Sequence, residues 1–579
     1  MTIPPYRDPH RPVDERVEDL LARMTLEEKA GQLFHSMLGM SADGTFATEG
    51  PFVHASTPEL VEDRGLTHFN LIGQYGVRET AQWVNRIQEL AAGTRLGIPV
   101  TLSTDPRHAF TDNPGASFNS GAFSAWPEPL GLAAIGDPEL VEKFGDTVRR
   151  EYLAVGFRVA LHPQIDLATE PRWSRQSGTF GSSAELTSAL VRAYVRGLQG
   201  ARLGPESVAA MVKHFPGGGP QKDGEDPHFA HGKEQVYPGG MRDYHLAPFK
   251  AAIEAGCSQM MPYYGQPVGT DWEEVGFGFN RDVLTGLLRG RLGFDGVICT
   301  DWGLLTDAPI FGELFPARAW GAEHLSVAER AAKALDAGAD QFGGEQCPEV
   351  IVELVRSGRV SAARIDESVR RLLREKFVLG LFENPHVDPD RAEETVGAGE
   401  FTALGEAAQR RSLTVLTNHA LLPVEGRPNL YVRGVSERTA SAYGNVVADP
   451  VAADLAVLRL RTPHEKRPGL FESFFHSGSL AFPEDELKEI LRLLDTTPTL
   501  VCVNLERPAV LPEIAAKAAA LVADYGASDA ALLDVTFGRA RAEGRLPFEL
   551  PRSMAAVEAS RPDVPNDTED PVFACGHGL

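Results

Sequence analysis

The chain is 579 residues long, more than one hydrophobic core accommodates, so two or more domains are expected. Hydrophobic residues make up 43% and charged residues 23%, an ordinary globular balance. Against 56 basic residues stand 80 acidic ones, and the formal net charge of −24 disfavours nucleic acid and anionic lipid as partners while suiting a neutral substrate such as a sugar.

The five cysteines (Cys257, Cys299, Cys347, Cys502 and Cys575) are scattered, and there is no CxxC pair. This argues against zinc ligation and a disulfide framework, and for a reducing, cytoplasmic setting. The N-terminal segment lacks the apolar stretch of a secretion signal, and no run of about 18 apolar residues follows, so neither export nor a membrane span is expected.

Residues 13–33 show helical spacing, with Val17, Leu20, Leu21 and Met24 on one face. Thr25, with Glu28 three residues on, predicts a helix start with a capping box. From residue 70 onward, short apolar strands alternate with amphipathic helices. Strands are predicted at 71–73, 99–103, 159–162, 209–212, 259–261 and 297–300, and helices at 80–92, 138–154, 184–198, 246–255, 280–291 and 327–337. This alternation predicts a parallel sheet, most simply a barrel. Chemistry in such barrels gathers at the C-terminal strand ends, where the sequence puts Asp105, His162, Lys213, His214, Tyr263 and Asp301.

A further helix is predicted at 362–379, and the polar stretch 383–399 reads as helix-breaking. The pattern then restarts, with strands at 413–416, 429–432, 455–460 and 500–503 and helices at 485–494 and 511–519. The predicted class is α/β: a TIM-like (β/α) barrel over 1–382, a linker over 383–410 and a smaller α/β sandwich over 411–579.

The segment 293–302 (GFDGVICTDW) carries a strand with Asp301 at its end, beside Trp302, whose flat face suits a sugar ring. An aspartate at the edge of a core needs a partner or a task, and Asp301 is the candidate catalytic carboxylate of a glycosidase. Lys213 and His214 end a strand before three glycines and can donate to ligand hydroxyls; a solvated loop is the alternative. Asp105 can accept from two vicinal hydroxyls or form an Asx turn before Pro106. Arg172 can fork onto hydroxyls or steady a carboxylate, or form a structural ion pair. The second carboxylate is sought in the loop after the strand at 455–460, where Glu465 and, seven residues on, Glu472 could reach across a domain cleft.

The motifs RVEDLLARMTLEEKAGQL, GIPVTLSTD, EPRWSR, VKHFPGG, GFDGVICTDWG, ALDAGADQF, NLERPAVLPEI, GRLPFELPRS and FACGHGL, in this order over almost the whole chain, resemble glycoside hydrolase family 3 in its bacterial β-glucosidase-like form. The resemblance implies an active site between barrel and sandwich and an exo-acting, retaining β-glycosidase, most simply a β-D-glucosidase. Glycosidases of the same fold acting on β-xylosides, α-L-arabinosides or β-galactosides are the alternative, and a non-catalytic sugar-binding protein is the reading from another class. It implies Asp301 as nucleophile and Glu465 as acid/base, with Glu472 in reserve. Asp105, Arg172, Lys213, His214 and Tyr263 would bind the hydroxyls of the terminal ring, and Trp302 would form the aromatic wall. No cofactor or metal is expected. The expected partner is a small-molecule or oligosaccharide glycoside, with a homodimer left open.

Two departures stand out. Gly181-Ser182-Ser183-Ala184 replaces the GEDP often found after the Arg-Trp-Gly-Arg segment. Gly218 stands in KHFPGGG where the N-acetylglucosaminidase branch has KHFPGHG, which disfavours a histidine-based mechanism and an N-acetylhexosamine substrate.

Overall fold

A computed structural model describes residues 3–41, 43–48, 50 and 52–579. Eight parallel strands close into a barrel: β1 (Phe34–Gly39), β2 (His68–Ile72), β3 (Thr101–Thr104), β4 (Val159–Ala160), β5 (Ala209–Phe215), β6 (Gln259–Pro262), β7 (Val297–Trp302) and β8 (Gln341–Gly343). They neighbour one another in chain order, and β1 pairs with both β2 and β8. The strands are buried almost throughout because helices cover the outer face and side chains fill the interior.

Six of these strands are legible in the sequence; β1 and β8 are not. β1 follows directly on the helix Leu26–Gln32, so its apolar residues read as a continuation of the helical face. β8 has only three residues, one of them a glutamine, too few for a period. The predicted helix start is there: Thr25 accepts from the Glu28 N–H, and Glu28 reaches back to the Thr25 N–H.

The segment expected as a linker is largely helical. Pro389–Thr395 is a helix with Asp388 as N-cap and Pro389 at its first position, and Gly399–Ser412 follows. Proline needs no hydrogen-bond partner at a helix start, so a residue that reads as a breaker is an initiator.

The second unit is a six-stranded sheet built from β9 (Thr414–Asn418), β10 (Asn429–Arg433), β11 (Asn445–Val446), β12 (Leu455–Arg461), β13 (Thr499–Asn504) and β14 (Ala520–Asp524). The order is β9-β14-β13-β12-β10-β11, parallel except for β9 against β14. Alternate residues of β12 serve separate cores: Ala456, Leu458 and Leu460 on one face, Leu455 and Val457 on the other. The first core also contains Leu130, Ala134 and Ala168 from the barrel side, which joins the two units.

The aperiodic C-terminal stretch straps back onto the barrel. Asp563 accepts from the Gly239 and Met241 N–H groups, and the Thr169 hydroxyl donates to the Pro562 carbonyl. The Gly181–Ala184 departure docks on the same strap. The Ser182 N–H donates to the Pro547 carbonyl, and the Ser182 hydroxyl lies 3.0 Å from Asn566 Oδ1. Ser183 caps the helix Ala184–Gln199.

Candidate active site

Asp301 is the penultimate residue of β7, with 6% of its surface exposed. Its Oδ1 accepts from the Trp302 N–H at 2.8 Å. Its Oδ2 is buried and has no hydrogen-bond partner among the described residues. A buried carboxylate oxygen left unpaired costs stability, which marks this oxygen as a candidate for contact with a ligand.

Around it lies a narrow cavity lined by Asn70, Asp105, Arg175, Lys213, His214, His228, Tyr264 and Trp302. Asp105, just past β3, bonds Lys213 Nζ at 3.2 Å through Oδ1 and Asn70 Nδ2 at 3.0 Å through Oδ2. Burial lowers the Lys213 pKa, and the adjacent Asp105 opposes that shift. Consecutive strand residues ordinarily face opposite ways. A register shift between Lys213 and Phe215 lets both Lys213 and His214 reach the cavity.

His214 is locked from behind: its Nδ1 lies 2.8 Å from Asp166 Oδ2, and Asp166 Oδ1 accepts from the His214 and Gly218 N–H groups. Burial pushes the Asp166 carboxyl up to about 6 and holds the His214 pKa well below its ordinary value. Gly218 is there for close approach, because a Cβ would sit 2.6 Å from the Tyr263 ring. Gly218→Ala is expected to destabilise the fold by about 1–3 kcal/mol and to lower kcat/KM by disturbing the Asp166–His214 bond. Unchanged thermal unfolding and kinetics would remove this account of the glycine.

The structure places the expected residues unevenly. Asp105, Lys213, His214 and Trp302 share the cavity with Asp301. Tyr263 lies behind it, its ring 4.6 Å from that of His214 and its hydroxyl donating to Asp226 Oδ2 at 3.3 Å; Tyr264 lines the cavity instead. Arg172 is turned away, with Nε and Nη2 on Glu170 at 2.8 and 3.1 Å. Arg175, three residues on, is buried in the cavity wall, and its guanidinium has no hydrogen bond among the described residues. The EPRWSR segment contains both arginines, and spacing alone does not say which one turns inward.

Neither loop glutamate lines the cavity. Glu465 is 56% exposed and accepts from the Ser479 N–H at 3.2 Å. Glu472 is 16% exposed, and its Oε1 lies 3.3 Å from His231 Nε2. Its neighbour Phe471 does line the cavity and belongs to an aromatic cluster with Phe52, Phe229 and Phe475.

A buried histidine–aspartate pair absent from the sequence reading also lies at the cavity. His228 sits in the cavity wall, with Nδ1 2.6 Å from Asp226 Oδ1. Burial alone would raise the Asp226 carboxyl, but the His228 ring and its hydrogen bonds outweigh that and hold it at about 2. Burial lowers the His228 pKa while Asp226 opposes the shift. Nε2 of His228 makes no hydrogen bond among the described residues. The signal in the sequence was the Asp226-Pro227-His228 spacing after the glycine run.

The chain matches the glycosyl hydrolase family 3 N-terminal domain over residues 25–375. It belongs to glycoside hydrolase family 3. Among its relatives, β-glucosidase C of Emericella nidulans is 53% identical over 588 residues, covering 100% of this chain and 94% of that one. The periplasmic β-glucosidase/β-xylosidase of Dickeya chrysanthemi is 42% identical over 598 residues, covering 99% and 91%. A β-glucosidase structure from Erythrobacter marinus superposes with a TM-score of 0.80 at 22% identity, covering 99% of this family 3 chain and 84% of the other. A β-glucosidase structure from Listeria innocua in complex with isofagomine gives 0.76 at 22%, covering 98% and 82%. At that identity these two structures speak for the fold.

Proposed function

We propose that this family 3 enzyme is an exo-acting, retaining β-glucosidase with Asp301 as nucleophile. The observation that carries the proposal is the buried, unpartnered Oδ2 of Asp301 in a cavity rich in hydroxyl-binding groups. The relatives named as β-glucosidases support the sugar. Asp105, Lys213, His214 and Arg175 hold the terminal ring by its hydroxyls, and the Trp302 face packs against it. Asp301 Oδ2 attacks the anomeric carbon, the bond to the aglycone oxygen breaks, and that oxygen takes a proton. Water then attacks the anomeric carbon from the face the aglycone left, displacing Asp301 and giving up a proton to the group that supplied the first.

For that group the geometry favours His228, oriented by Asp226 as a carboxylate orients a general acid–base histidine; this departs from the sequence expectation against a histidine-based mechanism, which rested on Gly218 and did not consider His228. The second reading is a loop glutamate, Glu472 or Glu465, brought in by movement of loop 462–480. The presence of Phe471 from this loop in the cavity wall supports it. A reducing, cytoplasmic setting is proposed on the five unpaired cysteines, although the Dickeya relative is named as periplasmic.

On a panel of aryl glycosides, the β-glucoside is expected to give the highest kcat/KM, with β-glucose as the first product by proton NMR. First-formed α-glucose would overturn retention. A preferred xyloside, galactoside or arabinoside would move the enzyme to another sugar, and binding without turnover would make it a lectin-like protein.

A further inference from the structure

We propose that His464, His476 and Glu506 form a binding site for one first-row divalent transition-metal ion, with Zn²⁺ the best match to the donor set. None of the three lines the cavity around Asp301, and the proposal does not depend on which group donates the proton there.

The three residues come from two neighbouring strand ends of the second sheet. β12 and β13 run parallel and side by side, so the segments leaving their C-terminal ends emerge together. His464 and His476 lie in the segment after β12, and Glu506 lies just past β13. One potential ligand atom from each residue falls within 4.8 Å of the other two. The two imidazole rings are stacked 3.9 Å apart and 12° from parallel, and His476 Nδ1 is 2.7 Å from Glu506 Oε1.

The chemistry of this group points to a cation. It brings together two imidazoles and a carboxylate, the His₂Glu set that zinc takes with one position left open.

Bonds of about 2.0–2.2 Å bring neighbouring ligand atoms to roughly 3.3 Å, so the site closes by small side-chain rotations. His464 is exposed and free to make them, and it gives an ion access from solvent. His476 and Glu506 face a cavity of about 820 Å³ between barrel and second sheet, which leaves room for water in the open position. The nearby Arg507 does not compete for the carboxylate, because its guanidinium donates to the carbonyls of Arg172, Pro463 and Gly478. The absence of a CxxC motif is no obstacle, since the donors come from separate segments.

The location gives the ion an effect. His464 and His476 bracket the segment that carries Glu465, Phe471 and Glu472. An ion joining both histidines to Glu506 ties that segment to the end of β13 and holds Phe471 against the sugar cavity.

The test is calorimetric titration of the whole, EDTA-treated enzyme with zinc chloride, in wild type and in the His464→Ala and His476→Ala variants. One equivalent is expected to bind wild type saturably, with affinity lowered at least about tenfold in each variant. Zinc is also expected to slow aryl-glucoside turnover reversibly in wild type and to lose this effect in His464→Ala. His464 is at the surface, so this variant folds even if His476→Ala does not. Absence of saturable binding to wild type, or equal affinity in wild type and His464→Ala, would overturn the proposal.

Discussion

Asp301→Asn is expected to lose turnover by a factor on the order of 10⁴ or more, with an unchanged fold. Asparagine keeps the size of the side chain and the acceptor for the Trp302 N–H. It replaces the Oδ2 oxygen, which has no hydrogen-bond partner among the described residues, with an amide nitrogen that cannot form a stable glycosyl ester. The one hydrogen bond that Asp301 makes is kept, so the variant should unfold near the wild-type temperature while its activity disappears. Steady-state kinetics and thermal unfolding measure the two effects. Turnover within tenfold of wild type would rule out Asp301 as the nucleophile.

The second large effect is expected at His228. His228→Ala should lower kcat/KM by about 10²–10⁴-fold on β-glucosides with alkyl or sugar aglycones, the range of general acid–base catalysis. It should cost far less on dinitrophenyl β-glucoside, whose leaving group needs no proton, and added azide should restore turnover as β-glucosyl azide.

The pH profile carries a sign. A general acid must be protonated, and burial lowers the His228 pKa from its ordinary value. The wild-type rate on unactivated substrates therefore falls as pH rises through that lowered pKa, and the variant loses this limb. Glu465→Ala and Glu472→Ala are expected to show neither azide rescue nor leaving-group dependence. If one of them does and His228→Ala does not, the proton comes from the loop.

Most of the barrel was legible because its strand–helix units repeat a local signal. A strand such as 297–300, bounded by glycines and rich in valine and isoleucine, reads the same in any context. The second sheet was less complete: the two-residue edge strand β11 and the interior strand β14 were missed. Ala520–Asp524 contains two alanines and follows a helical stretch, so it carries little β-propensity of its own and is held by β9 and β13 on either side. The stretch 383–399 read as helix-breaking because Pro389 and Asp388 have opposite meanings inside a helix and at its start.

By itself, the sequence determined the fold class, the strand ends where chemistry gathers, and Asp301 as the residue to watch. These follow from periodicity and from the rarity of an aspartate at the end of a buried strand. The tertiary structure alone decided which neighbours turn toward that aspartate. Arg175 rather than Arg172 and Tyr264 rather than Tyr263 enter the cavity, because turns and a strand irregularity set side-chain direction and spacing does not. It also put His228, held by Asp226, on the wall, and left Glu465 at the surface. Which groups meet depends on how loops from different strands close over one another, and no local pattern in the chain encodes that.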